Sequence, residues 1–356
     1  MPRLFPLVRV RIARRRFVGA GAVVLAGGLL AACGTTPSPA AIHSRLLTAN
    51  GGGVAPARPG TCPLTGLPAP NHKPPHRPAL AIKVENLPEA RPQSGLDHTD
   101  IVYEEPVEGG ITRFIAIFQC HGSSRVEPVR SGRLVDPLIL VQYGHPLFAF
   151  AGAIQPVINK VDASPLVNLD FDVVPNDYFR DPTRLAPHNL YTNTALLWAA
   201  HRGGSPPHPV FDYSSTVPSG GVRAPVIHIP FSGYSDVYWR WSAKAHRYVR
   251  YYNGSVPANL SDGTIINAAN VVVQMVKLTP SPYVEDATGV HEWDVHVIGH
   301  GRAAVYRDGV MIPGRWVRPK LGDTTRFLDK HGQVIPLQPG NTWVELVPTT
   351  ISVSPF

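Results

Sequence analysis

The segment GITRFIAIFQ, residues 110–119, constrains the fold more than any other stretch of the sequence. In an extended strand, successive side chains point to opposite faces. The two sets are Ile111, Arg113, Ile115 and Ile117 on one face and Thr112, Phe114, Ala116 and Phe118 on the other. Because both sets are largely apolar, we expect this strand inside a sheet that is covered on both faces.

Arg113 is the exception on this strand, because a guanidinium removed from water requires a carboxylate or an anionic ligand. Glu104 and Glu108, on the preceding strand and turn, are the candidate partners. A buried ion pair that fixes strand register and an arginine that binds a ligand both fit this pattern. We predict that Arg113 and Glu104 form a structural ion pair.

The first half of the chain has the pattern of strands followed by helices. Strands are expected at residues 79–86 and from residue 100 onward, before the apolar strand. Helices are expected at residues 137–161 and 192–202, the second capped by Thr192 or Asn193. Strands followed by helices are typical of an α+β layered domain.

Beyond a turn-rich stretch at residues 203–225, the pattern changes to short strands. Hairpin signals such as Asn253-Gly254 and Asp308-Gly309 separate runs rich in β-branched and aromatic residues. We therefore predict an α+β fold, with a mixed sheet-and-helix N-terminal domain followed by a predominantly β C-terminal domain. The predicted layout is a signal peptide at 1–32, a lipidated cysteine and disordered tether at 33–78, and domains at 79–212 and 224–350.

A basic and apolar leader opens the chain. Its first part holds six arginines and no acid up to Arg16, and an apolar run follows to Ala32. This run is short and glycine-rich for a membrane span, and the whole leader has the parts of a secretory signal. The residues LAAC at 30–33 match the lipobox of bacterial lipoproteins. We expect cleavage before Cys33 and attachment of lipid, including palmitate, to its thiol.

The export route is indicated by a second pattern in the leader. Arg14 and Arg15, with Phe17 and Val18 after one intervening residue, resemble the twin-arginine export signal. Arginines are expected in any signal peptide, so the general secretory route also fits. In either case the protein is expected on the extracytoplasmic face of the bacterial cell membrane.

Charge and cysteine content narrow the classes of function. The formal net charge of +8 falls to about +2 without the six arginines of the leader, so nucleic acid is not an expected partner. Besides Cys33, the chain has Cys62 and Cys120. An isolated pair in an oxidising compartment favours a disulfide, with two buried thiols as the alternative. The metal and redox spacing C-x-x-C is absent from the sequence.

Ordered motifs along the chain resemble the YerB-like lipoprotein family. They are PLTGLP at 63–68, ENLPEARPQSGLDHTDIVYEEPVEGGITRFIAIF at 85–118, EPVRSGRLVD at 127–136, APHNLY at 186–191, NVVVQ at 270–274, RDGVMIPGRW at 307–316 and PGNTWVELVP at 339–348. The resemblance implies an N-terminal and a C-terminal domain and a lipobox anchor. It indicates location and layout rather than a reaction.

Charged residues concentrate in the predicted N-terminal domain, although the protein as a whole is weakly charged. Two arginines in EPVRSGR could surround a phosphate or a carboxylate, and a charged surface loop explains them nearly as well. The residues that we predict to bind a ligand are Arg91, Glu108, Arg130, Arg133 and His188.

Catalysis is left open by the sequence. Glu104 and Glu108 with His188 could act as acid and base if they converge. Neither a G-x-S-x-G elbow nor a phosphate-binding P-loop occurs in the sequence. The segment HEWDVH at 291–296 could bind a divalent ion or form a solvated strand face. The aromatic residues at 238–252 could stack on sugars or fill a core. No catalytic residue, metal or cofactor is assigned.

The resulting prediction is a lipid-anchored envelope protein. Its polar N-terminal cluster is expected to bind a cell-wall glycan, an anionic wall polymer or an envelope protein that takes part in wall assembly. The alternative is a cell-envelope hydrolase that uses the same cluster for acid and base catalysis.

Overall fold

The apolar strand lies inside a large mixed sheet. The computed structural model describes residues 59–217, 219–285 and 289–356. In it the strand spans Thr112–Phe118, and each of its residues is buried. It pairs antiparallel with Leu80–Glu85 on one side and with Ile101–Pro106 on the other. The interior position expected from its two apolar faces is confirmed.

Strands make up most of the regular structure. Those before residue 203 are β1 (Leu80–Glu85), β2 (Ile101–Pro106), β3 (Thr112–Phe118), β4 (Leu147–Phe150), β5 (Val167–Asp170), β6 (Phe179–Arg180) and β7 (Leu190–Tyr191). Those after it are β8 (Val222–Arg223), β9 (Val226–Pro230), β10 (Asp236–Ser242), β11 (Arg247–Tyr252), β12 (Val256–Pro257), β13 (Asn267–Ala268), β14 (Asn270–Val276), β15 (Leu278–Val284), β16 (His291–Val295), β17 (Gly299–Arg307), β18 (Val310–Arg318), β19 (Arg326–Leu328) and β20 (Thr342–Pro348).

Helices are few and short. The α-helices are α1 (Val135–Leu140), α2 (Gln155–Asp162) and α3 (Thr194–Ala200). Single 3₁₀ turns span Pro70–His72, Pro88–Ala90, Leu96–His98, Glu108–Gly110, Val141–Tyr143 and Pro175–Asp177. The predicted α+β class is confirmed, with the helices in the N-terminal part and mostly strands after it.

One of the two predicted helices is correct and the other is wrong. Asn193 caps α3, where its side chain accepts a hydrogen bond from the Leu196 amide at 2.7 Å. The predicted helix at 137–161 is interrupted by strand β4, which pairs in parallel with β1. A short apolar run such as LFAF does not distinguish a buried strand from a buried helix, so its periodicity did not indicate the strand.

The main sheet joins both halves of the chain. Its strand order is β19-β18-β17-β14-β20-β2-β3-β1-β4-β5, and β8 also pairs with β18. Strand β2 pairs in parallel with β20, from the far end of the sequence. A second sheet has the order β12-β11-β10-β9, with β13 beside β11. The boundaries 79–212 and 224–350 stay predictions for two regions that share one sheet.

The two faces of the main sheet have different covers. One face, which we call the β face, packs Val84, Phe114 and Trp343 against Trp239 and Tyr248 of the second sheet. On the opposite face, which we call the helix face, side chains of β1, β2 and β3 pack against α1 and α2. Each charged residue on a central strand is therefore buried on one of two separate sides.

The N-terminal segment is ordered earlier than expected. The tether was expected to reach residue 78, but Leu64 is fully buried and its carbonyl accepts a hydrogen bond from the Tyr213 hydroxyl. Cys62 forms the expected disulfide with Cys120, with Cα atoms 5.9 Å apart. These contacts hold residues 59–78 against the fold. The signal peptide and Cys33 lie outside the described residues.

Candidate functional site

An open groove of about 750 Å³ lies among three loops of the N-terminal region and is also lined by Ser261. The three loops lie around residues 88–92, 125–127 and 181–188. The ionisable residues that line it are Glu89, Arg91, Arg125, Glu127, Asp181, Arg184 and His188. Charges of both signs therefore line one surface.

Arginines and carboxylates alternate along one wall of the groove. Arg125 forms ion pairs with Glu127, at 2.9 Å, and with Asp181. Its guanidinium lies 4.0 Å above the ring of Tyr191. Arg184 donates to the Pro92 carbonyl at 2.9 Å. The wall is therefore held in place before any ligand binds.

Arg91 forms another part of the groove. It donates to the Asn86 carbonyl at 2.8 Å, and its guanidinium stacks 3.8 Å from the centre of the Tyr252 ring. Burial is the main cause that lowers the pKa of Arg91. A half-buried, fixed guanidinium of this kind loses little freedom when it meets an anion.

His188 lines the groove, and its imidazole contacts a buried carboxylate. Its Nδ1 lies 2.9 Å from Oε2 of Glu85, whose Oε1 is 3.1 Å from Nε of Arg130. Glu85 is fully buried, whereas one fifth of the His188 side chain is exposed. A proton on Nδ1, donated to Glu85, leaves Nε2 as an acceptor. A carboxylate that fixes the orientation of an imidazole is a common arrangement in binding and catalytic sites.

Arg133 and Glu108 belong to a separate cluster. Nε and one terminal nitrogen of Arg133 donate to Oε2 of Glu108 at 3.0 and 2.8 Å, and Glu285 also lies 2.8 Å from Arg133. Nearby, Glu292 accepts a hydrogen bond from the Leu134 amide, and burial raises its pKa to about 7. Glu108 also lines a second cavity, of about 420 Å³.

The predicted ion pair between Arg113 and Glu104 is wrong. Strand register places Glu105 opposite Arg113 and Glu104 opposite Phe114. Directly opposed residues share a face, so Glu104 points to the β face and Arg113 to the helix face. Arg113 donates to the Ser131 carbonyl at 3.0 Å. A shift of one residue in register separates the two charges completely.

Glu104 instead belongs to a closed cluster on the β face. It pairs with Arg250 at 2.7 Å, and Arg250 also lies 3.4 Å from Glu345. All three side chains are fully buried. Burial, followed by the neighbouring charge of Glu104, raises the pKa of Glu345. The Trp239 indole donates to Glu345 at 2.8 Å and closes the cluster.

The structure brings together part of the predicted binding set. Arg91 and His188 line the groove, and Arg130 reaches His188 through Glu85. Glu108 and Arg133 lie in the other cluster. Sequence reasoning missed the other five ionisable groove residues, which are Glu89, Arg125, Glu127, Asp181 and Arg184. Glu89 and Glu127 lie in the motifs at 85–118 and 127–136, which contained a signal, whereas loop geometry brings the other three to the groove.

The other candidate chemistries find little support in the geometry. Glu104 and Glu108 bind different arginines and do not converge on His188. In the segment 291–296, Glu292 is buried and His296 is exposed beside Thr279. The described part of the chain contains no group of three residues suited to hold a metal ion. Several aromatic residues at 238–252 are buried in the core, Trp239 among them.

Comparisons with known proteins agree with this architecture. Residues 64–205 match the family described as "Protein of unknown function (DUF3048) N-terminal domain", and residues 227–344 match its C-terminal domain. The chain belongs to the YerB-like family. It is 29% identical over 297 residues to the Bacillus subtilis (strain 168) protein named "Putative lipoprotein YerB", covering 80% of this chain and 86% of the relative.

The fold of this family has been seen in a crystal. The crystal structure of YerB protein from Bacillus subtilis superposes on this chain with a TM-score of 0.71 and 24% sequence identity. The match covers 83% of this chain and 99% of the YerB chain. The lipoprotein name of the relative is consistent with a membrane-anchored envelope protein. Among the described residues, no helix has the length and apolar character to cross a membrane.

Proposed function

We propose that this protein is held by lipid on the outer side of the bacterial cell membrane and binds a cell-wall polymer in the groove. The observation that carries the proposal is an open groove of about 750 Å³ with seven ionisable side chains on fixed loops. An open surface with charged side chains along it suits a chain that passes through it better than a small molecule that must be enclosed.

The lining indicates the chemistry of that polymer. Arginines can bind phosphate or carboxylate groups in pairs of hydrogen bonds, and the carboxylates can bind hydroxyl or amino groups. Leu185, at the rim, is 85% exposed and offers apolar contact. A wall glycan or an anionic wall polymer presents such polar groups at repeated intervals. An assembly partner would instead be a protein whose surface presents groups of this kind to the groove.

Binding to isolated cell walls tests the proposal. The full chain, extracted in detergent, is mixed with wall sacculi before and after removal of their anionic polymers, and the bound fraction is measured by sedimentation. We expect saturable binding that Arg125→Ala weakens about tenfold, equivalent to about 1.4 kcal/mol. Arg302→Ala is the matched control, because Arg302 is an exposed arginine outside the groove. Absence of sedimentation with either wall preparation contradicts wall binding and leaves a protein partner.

The pair of Glu85 and His188 supports a second candidate function, hydrolysis of a wall component. A buried carboxylate at 2.9 Å from Nδ1 can orient the imidazole as a general base. Release of reducing ends or amino groups from sacculi measures this activity. A hydrolase would lose it in His188→Asn and keep binding. A binding protein would show no release in either form.

The lipid anchor is part of the same proposal. Cleavage before Cys33 and acylation of its thiol would place the fold close to the membrane. In Cys33→Ser we expect an uncleaved or released protein in membrane fractionation. Unchanged mature size and membrane association would contradict the anchor. Replacement of Arg14 and Arg15 by lysine should block export if the twin-arginine route is used, and normal export would indicate the general route.

A further inference from the structure

Arg113 is a buried cation that lacks an ion-pair partner. Its side chain is 6% exposed, and no carboxylate oxygen among the described residues lies within 4.0 Å of its guanidinium. It makes one hydrogen bond, to the Ser131 carbonyl, and its buried Nε has no partner. A guanidinium removed from water at this cost requires compensation.

The carboxylates beside Arg113 are bound to other cations. Strand register places Glu85 opposite it on β1 and Glu105 opposite it on β2. Glu85 binds Arg130 and His188. Glu105 binds Lys83, which also lies 2.7 Å from Asp136. The sheet therefore supplies Arg113 with two neighbouring acids and leaves it paired with neither.

Three guanidinium groups lie at one short loop, residues 130–133. Arg113 contacts the carbonyl of Ser131, which lies between Arg130 and Arg133 in that loop. Burial is the main cause that lowers the pKa of Arg113 to about 9. The nearby charges of Arg133 and Arg130 also lower the pKa, whereas those of Glu108 and Glu85 raise it. Arg130 and Arg133 are each paired with acids, so Arg113 is the member of the three without an ion pair.

We infer that Arg113, with Arg130 beside it, forms a binding site for an oxyanion under the loop at residues 130–133, and that the oxyanion is a phosphate or carboxylate group. The planar guanidinium can offer two parallel hydrogen bonds to either group. Arg130 has 28% of its side chain exposed and reaches His188 of the groove through Glu85. The inference does not depend on wall binding, because a free ion can occupy such a site.

A competing account is compensation at longer range. Arg133 has two carboxylates, Glu108 and Glu285, so the surplus acid could offset Arg113 without direct contact. In that case Arg113 needs no ligand, and free anions would not bind at it. Anion binding that depends on Arg113 favours the oxyanion site, whereas the absence of such binding favours compensation at longer range.

Equilibrium dialysis of the full chain in detergent, with inorganic phosphate and separately with acetate, tests the site at constant ionic strength in chloride. We expect one saturable site for at least one of the two ions, with a Kd below about 10 mM. Arg113→Met should weaken binding at least tenfold, and Arg113→Lys should weaken it less. Arg302→Met, a variant at an exposed arginine, should bind as the wild type does.

Thermal unfolding gives a second readout. When the free ion is present at a concentration of about 100 times its Kd, it should raise the Tm of the wild type by several degrees. The Tm of Arg113→Met should not change. If Arg113→Met does not fold, Arg113→Lys carries the comparison. Absence of saturable binding of both ions, or equal binding by wild type and both Arg113 variants, would overturn the inference.

Discussion

Arg113 and Arg250 are both buried arginines on β-strands, yet their surroundings differ completely. Arg250 lies on the β face between Glu104 and Glu345, with four aromatic rings within 5.4 Å of its guanidinium. Arg113 lies on the helix face, with a carbonyl as its hydrogen-bond acceptor. A buried arginine on a strand thus belongs to a closed ion cluster in one place and lacks an ion-pair partner in the other.

The difference shows which cluster has a structural role. Arg250 joins Glu104 of β2 to Glu345 of β20, so the cluster links strands from both halves of the chain. Arg113 joins β3 to the loop at residues 130–133 through one hydrogen bond. Removal of Arg250 would leave two buried acids without their cation, whereas removal of Arg113 leaves no carboxylate without its partner.

The largest effect is expected when the two halves are separated. Because β2 lies between β3 and β20, a fragment that ends at residue 212 has an open central strand edge and lacks Arg250. We expect fragments 59–212 and 224–356 to be unfolded when expressed alone, as measured by circular dichroism and hydrogen exchange. Cleavage of the intact protein near residues 215–220 should leave the pieces associated. A folded, monomeric fragment 59–212 would show that the closed cluster is not needed.

Arg250→Met should destabilise the protein by about 3 to 5 kcal/mol, because Glu104 and Glu345 remain buried without their cation. Urea unfolding at pH 7 measures this loss. The double variant Arg250→Met with Glu104→Gln should recover much of it, since one buried charge is then removed. A single variant as stable as the wild type would mean that the acids are already neutral.

The pH dependence of stability should report on Glu292, which accepts a hydrogen bond from the Leu134 amide. The pKa of Glu292 is raised from an ordinary value of 4.5 to about 7. The folded state thus holds a proton that the unfolded chain releases, so this contribution is complete below pH 4.5 and is lost as pH rises through 7. The difference between the two pKa values corresponds to a contribution of about 3 kcal/mol to the free energy of unfolding.

Glu292→Gln tests that pH dependence, because glutamine keeps the acceptor for the Leu134 amide and does not titrate. Relative to the wild type, we expect its free energy of unfolding to rise by about 3 kcal/mol between pH 4.5 and pH 8. Asp294→Asn, on the same strand and half-buried, is the control. Parallel pH curves for wild type and Glu292→Gln would exclude the raised pKa.

The sequence predicted the element that organises the fold but not the partners of its charges. The two apolar faces of 110–119 placed β3 inside a covered sheet, and the hairpin signals at Asn253-Gly254 and Asp308-Gly309 match turns in which all four residues have positive φ. Local pattern is sufficient for such features. Which acid meets Arg113 depends on register between strands, and a shift of one residue changes the face.

The candidate site was predictable to the extent that its residues lie in motifs. Arg91 and His188 were singled out by sequence and do line the groove. Arg250 and Glu345 were missed, although each is the one buried charge on its strand, as Arg113 is on β3. The rule that a charge on an apolar strand needs a partner would have found both. It would not have shown that they meet, because strand order depends on the whole fold.

The smallest expected effect on stability, and the sharpest test of the comparison, is that of Arg113→Met. An unpaired buried cation costs free energy in the folded state, so its replacement by an apolar side chain of similar length should change stability by less than about 1 kcal/mol, with a gain as the expected sign. Urea unfolding in chloride buffer, without phosphate or carboxylate ions, measures the protein with the site empty. Arg307→Met is the matched control, because Arg307 is fully buried and paired with Asp308 at 2.7 Å. The control should lose stability. A loss of 3 kcal/mol or more in Arg113→Met would instead mean that the surplus acids at Arg133 hold Arg113 as a structural charge, and the two buried arginines would then have the same role.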